Sequence, residues 1–186
     1  ICLGKTMSKI FIVDSSLRTN SNSSLLASSF AKGAKESGNE VILVKIKDMD
    51  LHFCRGCLTC AKTKKCIIAD RMSFLLEEVS SSDILVLAAP VYYYGLPGQL
   101  KTFLDRLNPL YFKENKLRDI YFLSVAGEEE DEAFDGSIDM INRWASCFDG
   151  VKLVSSIKAK GIDKPNEIID KGDYLKEAFE LGKSIK

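Results

Sequence analysis

The chain of 186 residues carries 26 Lys plus Arg against 26 Asp plus Glu, and 46% of it is apolar, so its formal net charge is zero. A chain of this length buries about 70% of its unfolded surface in one core and needs no second domain. The balanced charge and a pI of about 6.8 exclude the basic excess of a nucleic-acid binder and point to work on small molecules.

Stretch 84–100 is uncharged, but it holds Pro90, Gly95, Pro97, Gly98 and Gln99 and falls short of the ~20 apolar residues of a membrane span. No membrane partner is expected. The apolar run 10–13 is too short for a secretory signal and ends at Asp14, so the expected location is the cytoplasm. Met7 is read as the initiator, with 1–6 as a remnant ahead of it, and Cys2 plays no part in the functional reading.

From Met7 onward, short apolar runs alternate with stretches of helical period. Residues 9–13 form a short run, rich in β-branched residues after Lys9, as in a buried strand. Over 22–37, Leu26, Phe30 and Gly33 share a helical face, and Gly38 is a stop signal. A second strand is expected at 41–46. Segment 47–69 has no clean period and carries four cysteines, and a connection that long in a compact domain usually serves a function. Asp70 can cap a helix whose residues Met72, Leu75, Leu76 and Val79 fall at i, i+3, i+4 and i+7.

The third strand, 84–89, is continuously apolar like a central parallel strand, and Pro90 stops it. Leu100, Phe103, Leu104 and Leu107 mark the next helix, 120–125 the fourth strand, and Phe134, Ile138, Ile141 and Ala145 another helix. A fifth strand at 151–157 precedes a last helix at 166–185, with Pro165 near its start. Strands separated by helices predict a doubly wound α/β fold, a parallel sheet with helices on both faces. Ligands of such folds bind beyond the carboxyl ends of the strands, which directs attention to the loops after strands 1, 3 and 4.

The first of these loops, 14–24, is a run of hydroxyls and amides around Arg18 that leads into a helix N-terminus. Helix-terminal amides, hydroxyl donors and a bidentate Arg suit a phosphate, although a polar loop with a helix cap has the same composition. It has neither a G-x-G-x-x-G fingerprint nor a P-loop lysine, which weakens the dinucleotide-fold and nucleotide-triphosphatase readings. The loop after strand 3 sets Tyr92, Tyr93 and Tyr94 at the switch point, where they can pack a planar cofactor or form an edge of the core. After strand 4, Ala126 and Gly127 permit close backbone approach, and the acidic run 128–132 reads as a helix N-terminal turn.

The cysteines follow the pattern Cys54-x2-Cys57-x2-Cys60-x5-Cys66. Disulfides are disfavoured without an export signal, and zinc ribbons usually separate their two knuckles by a longer span. A C-x2-C-x2-C run matches the ligand spacing of a 4Fe-4S site, while zinc and free or redox-sensing thiols stay open. Lys62, Lys64 and Lys65 would support thiolates or form a solvated face. His52, the only histidine, is read as structural, since no G-x-S-x-G elbow accompanies it.

With these motifs in hand, the chain resembles the NADPH-dependent FMN reductase and iron-sulfur flavoprotein family. The family's S-x-R-x-N-x-N-[ST] loop is matched by Ser16, Arg18, Asn20, Asn22 and Ser23. Its P-V-Y-x-x-x-x-P-G-Q-L-K loop is matched by Pro90, Val91, Tyr92, Pro97, Gly98, Gln99, Leu100 and Lys101. The cysteine run, with Asp70 and Met72, is similar to the segment that holds a 4Fe-4S cluster in the iron-sulfur flavoproteins.

The resemblance implies a flavodoxin-like five-stranded sheet of order 2-1-3-4-5 within a single domain, 7–186, that carries the cysteine-rich insertion 47–69. It implies FMN, with phosphate held by Ser16, Arg18, Asn20, Asn22 and Ser23. Pro90, Val91, Tyr92, Tyr93, Tyr94 and Gly95 would hold the ring, and Ala126 and Gly127 its far edge. NAD(P)H would be the reductant, and Cys54, Cys57, Cys60 and Cys66 would be candidate 4Fe-4S ligands. The expected activity passes electrons to a quinone, flavin, nitro compound or iron-sulfur partner, the flavin carrying the chemistry without a side-chain acid or base. A homodimer or homotetramer is expected. The competing readings are an electron carrier without a substrate of its own and a thiol or metal sensor.

Overall fold

The computed structural model describes residues 7–186; the expected remnant 1–6, with Cys2, lies outside the described residues. Five strands, β1 (Lys9–Asp14), β2 (Glu40–Lys45), β3 (Ile84–Pro90), β4 (Asp119–Val125) and β5 (Lys152–Ala159), pair in parallel in the order β2-β1-β3-β4-β5. Six α-helices connect or flank them: α1 (Asn22–Glu36), α2 (Thr59–Thr63), α3 (Met72–Ser81), α4 (Gly98–Arg106), α5 (Asp135–Ala145) and α6 (Tyr174–Lys183). This is the expected flavodoxin-like, doubly wound architecture. No helix of the described residues is long and apolar enough to cross a membrane.

The two-residue period of a strand builds the two layers. In β1, Ile10 and Ile12 face Leu26, Phe30 and Ala34 of α1 and Ala178 of α6, whereas Phe11 and Val13 turn to the other face. There they join Leu75 and Val79 of α3, Phe103 and Leu104 of α4, and Ile141 of α5. Gly33 and Gly182 explain how tightly α1 and α6 cross. A Cβ on Gly33 would run into the Phe179 carbonyl, and one on Gly182 into the Phe30 carbonyl. Gly38, expected to end α1, does so with φ +90°.

Two elements depart from expectation by more than one residue. A bulge where Val154 has no partner shifts β5 to Lys152–Ala159, against an expected 151–157. The last helix, expected over 166–185, starts only at Tyr174, because the preceding residues are spent elsewhere. Asn166 and Gly172 sit at positive φ, and the Ile168 N–H donates to Asn22 Oδ1 at 3.2 Å rather than to a helical carbonyl. That diversion brings the 163–168 turn against the loop after β1.

Candidate functional site

A pocket of about 500 Å³ opens beyond the carboxyl ends of the strands, the size of a cofactor site. Its first wall is the loop after β1. Asp14 Oδ1 accepts from the Ser16 N–H at 3.2 Å, and Ser16 Oγ from the Arg18 N–H at 3.3 Å. Burial pushes the Asp14 carboxyl up, opposed by hydrogen bonds from Ser24 and Ser16 and by the charges of Lys45 and Lys47. Ser15 N–H and Oγ both donate to the Ala88 carbonyl at 2.9 Å, and Gln99 Nε2 donates to the Ser15 carbonyl at 2.8 Å. The loop is therefore pinned to β3 and α4 before any ligand arrives.

α1 begins at this wall with no acidic residue in its first turn and no side-chain cap from Ser21, so its first amides are left for an anion. Arg18 stands half exposed at the rim, where Nη1 donates to the Asp163 carbonyl at 2.9 Å and lies 3.7 Å from Asp163 Oδ1. Ser16, Arg18 and Asn22 line the pocket, but Asn20 and Ser23 do not. Asn20 has φ +56° and accepts from the Asn166 N–H; Ser23 Oγ is 3.0 Å from Ser21 Oγ. The Asn22 side chain spends both ends on the 163–168 turn, donating to the Lys164 carbonyl at 2.8 Å and accepting from Ile168. Asn22 and Ser23 thus have side chains engaged within the protein, whereas exposed Asn20 is held through its backbone.

The second wall is the loop after β3. Pro90, Val91, Tyr92, Tyr93 and Tyr94 all line the pocket, and Gly95 instead closes the turn behind them. Tyr92 and Gly95 exchange backbone hydrogen bonds of 3.0 and 3.1 Å, leaving Tyr93 at φ 49° and Tyr94 at φ 61° as a two-residue turn. Two bulky residues in the left-handed region carry strain, which clusters at functional sites. Gly136 in the first turn of α5 lets the Tyr94 carbonyl approach; a Cβ there would collide with it. Tyr93 is fully exposed.

Ala126 and Gly127 complete the pocket after β4 as expected, together with Val125, Glu128 and Ala133. The acidic run 128–132 only partly acts as a helix start: a 3-10 turn, Asp131–Phe134, precedes α5. Asp131 points away to Lys160 at 2.9 Å and Lys158 at 3.8 Å, and the Lys160 bond holds its carboxyl below the usual range.

A second concavity holds Cys54, Cys57, Cys60 and Cys66 together. Cys54 and Cys57 are exposed, Cys66 is half-buried, Cys60 is buried, and all are free thiols. Gly56, Leu58 and Lys64 take positive φ and wrap the loop around α2. Hydrogen bonds from the Thr59 side chain and N–H hold the Cys57 thiol below its usual range. Asn108 Nδ2 lies 3.1 Å from Cys60 Sγ as a donor. Among the described residues, no three Cys, His, Asp or Glu side chains gather around a point for one ion. A cube makes a different demand, since each thiolate holds its own iron and the four surround the cluster. Four cysteines lining one concavity suit that donor set.

Arg106 backs this concavity. It is the largest fully buried side chain among the described residues, and nothing in the sequence reading marked it. Its Nη1 and Nη2 meet Asp70 Oδ2 and Oδ1 at 2.7 and 2.9 Å, and Nη1 also donates to the His52 carbonyl at 2.5 Å. Asp70, expected to cap α3, sits one residue ahead of its N-cap Arg71 and accepts from the Met72 N–H and from the His52 N–H. Burial works against the Asp70 charge, but these hydrogen bonds outweigh it and hold the carboxyl below its ordinary value. His52 takes part here through its backbone N–H and carbonyl, while its side chain is exposed, 3.8 Å from Asp50.

Comparison with known proteins assigns this architecture. The family model of NADPH-dependent FMN reductases matches residues 8–133. The chain belongs to that family. It is 33% identical over 172 residues to an iron-sulfur flavoprotein of Archaeoglobus fulgidus, covering 90% of this chain and 74% of that one. An iron-sulfur flavoprotein of Methanocaldococcus jannaschii is 32% identical over 102 residues, and the matched stretch spans about half of each chain, 55% of this one and 53% of the relative. Among solved structures, an NAD(P)H:quinone oxidoreductase from Methanothermobacter marburgensis superposes with a TM-score of 0.74 at 18% identity, over 96% of both chains.

The pocket fits the cofactor that names this oxidoreductase family. Ser16, Arg18 and the α1 amides offer donors for a phosphate, and the Pro90–Tyr94 backbone and rings offer an apolar slot for a flat ring system. The sequence reading missed Ser21, Val125, Glu128, Ala133, Ile162, Asp163 and Pro165 as lining residues. Three of them follow β5, and extending the strand-end rule to that strand finds them.

Proposed function

We propose that this chain is an FMN-dependent NAD(P)H oxidoreductase that hands electrons to a quinone, flavin, nitro compound or iron-sulfur partner, with a 4Fe-4S cluster on Cys54, Cys57, Cys60 and Cys66. The observation that carries the reading is the strand-end pocket, which joins a cationic, donor-rich loop at a helix N-terminus to an aromatic slot. FMN, when bound, supplies hydride acceptance and electron release. Ser16, Arg18 and the first amides of α1 bind the phosphate. The backbone of Val91 to Tyr94 positions the ring, and Ala126 and Gly127 leave room at its far edge.

No side chain of the pocket is asked to move a proton. Its lining residues with a carboxylate, Glu128 and Asp163, lie at the mouth with Arg18. Fully exposed Tyr93 and largely exposed Tyr94 give the mouth an apolar rim, consistent with a homo-oligomer in which the pocket borders a second copy. The names of the relatives, iron-sulfur flavoprotein and NAD(P)H:quinone oxidoreductase, support the same reading.

Steady-state oxidation of NADPH or NADH by FMN-loaded protein, with a quinone as acceptor, tests the proposal. Rapid turnover that falls in Arg18→Ala is expected; protein that binds no FMN and is indifferent to Arg18→Ala overturns it. The four thiols on one concavity favour a second reading, an electron carrier without a substrate of its own. Rapid steady-state turnover eliminates the carrier.

A further inference from the structure

Arg106 is a buried charge that the flavin pocket does not use. It lies in the last turn of an amphipathic helix, with its side chain wholly withdrawn from solvent against an Asp70 side chain only 3% exposed. A buried ion pair costs more in desolvation than it returns unless its geometry is excellent, so it is weak evidence of a device for stability. What it joins is more informative. The His52 carbonyl precedes Cys54, Asp70 follows Cys66, and one guanidinium holds both. The two ends of the cysteine loop are therefore clamped by a single side chain.

The clamp also leaves something over. Arg106 Nε is buried without a hydrogen-bond partner, a costly state when nothing meets it. Cys66 lines the same concavity as Arg106, and its charge and a side-chain hydrogen bond both act on the guanidinium. Two residues further on, Asn108 already donates to Cys60 Sγ at 3.1 Å. One short segment at the end of α4 thus brings an N–H donor to the Cys60 sulfur and a buried guanidinium with a spare N–H to the concavity that Cys66 lines.

We propose that Arg106 and Asn108 are positioning residues for the redox group of the cysteine loop: Arg106 clamps the loop and presents its charge and spare N–H to Cys66, Asn108 donates to Cys60, and together they raise the group's reduction potential. The physical basis is that a cluster gains negative charge on reduction, and donors and a buried cation beside its sulfurs stabilise that charge. The inference rests on the reading that these cysteines hold a 4Fe-4S cluster.

The test is an EPR-monitored redox titration of anaerobically reconstituted wild type, Asn108→Ala, Asn108→Asp and Arg106→Lys, with iron and sulfide assayed on each sample. FMN binding checks that each variant is folded. Asn108→Ala is expected to keep about four irons per chain and to titrate at a lower potential than wild type, and Asn108→Asp lower still. Arg106→Lys, which keeps the charge but loses the fork and Nε, is expected to lower the potential or to lose iron while still binding FMN. Fully loaded variants with wild-type potentials overturn this inference and leave the cluster reading intact. A wild type that takes up no iron overturns both.

Discussion

The two concavities at the ends of α4 are built on opposite principles. The flavin pocket is made mostly of backbone and small side chains at strand ends, pinned by neutral hydrogen bonds such as Ser15 to Ala88 and Gln99 to Ser15. The cysteine concavity hangs on one buried charge pair, Arg106 with Asp70, which closes a long loop of little regular structure. Gln99 at the start of α4 serves the first and Arg106 at its end serves the second, about 10.5 Å apart at the rise of a helix. A pocket laid on a sheet tolerates the loss of any one contact, whereas a loop with a single clamp does not.

The largest effect is therefore expected at the clamp. Arg106→Leu leaves Asp70 buried without its partner, and urea unfolding should show a loss of about 3–5 kcal/mol, part of which returns when Asp70→Asn is added. Protein that remains folded should still bind FMN. The counterpart in the other region is Arg18→Ala, which removes a charge-assisted contact to phosphate worth about 1.5–3 kcal/mol. Flavin affinity measured by fluorescence should fall about tenfold to hundredfold, with iron content and unfolding midpoint unchanged.

The contrast also reflects what could be read from the chain. Continuous apolar runs, helical spacing and Gly38 made the sheet and most of its helices legible, because burial on both faces leaves a periodic trace. The strand-end loops were legible because their position follows from topology. Arg106 was not, because an Arg in a helix ordinarily faces water. The available signal was its position three residues after Phe103, on the apolar face of α4. Asn22 lines the pocket, but nothing in the sequence signalled that its amide would also engage the Lys164 carbonyl and the Ile168 N–H, in a stretch expected to open the last helix.

Smaller changes sharpen the comparison. Gly136→Ala pushes a methyl group into the Tyr94 carbonyl and should cost about 1–3 kcal/mol of stability, with weaker FMN binding and normal iron content. Glu167 accepts from the Asp163 and Lys164 N–H groups, which with Lys171 lower its carboxyl from an ordinary 4.5 to about 2. A carboxylate lowered on folding stabilises the native state above its unfolded value and loses that contribution as pH falls through the folded one. Glu167→Gln should therefore flatten the acid loss of stability between pH 4.5 and about 2, the smallest effect here.

The most direct test of the central claim is a fluorescence titration of flavin-free protein with FMN and with riboflavin, which lacks the phosphate. Ser16, Arg18 and the α1 amides together should make FMN bind at least about 100-fold more tightly, the worth of one to two charge-assisted hydrogen bonds. Equal affinities for the two flavins would contradict the assignment of the loop after β1 as the phosphate site.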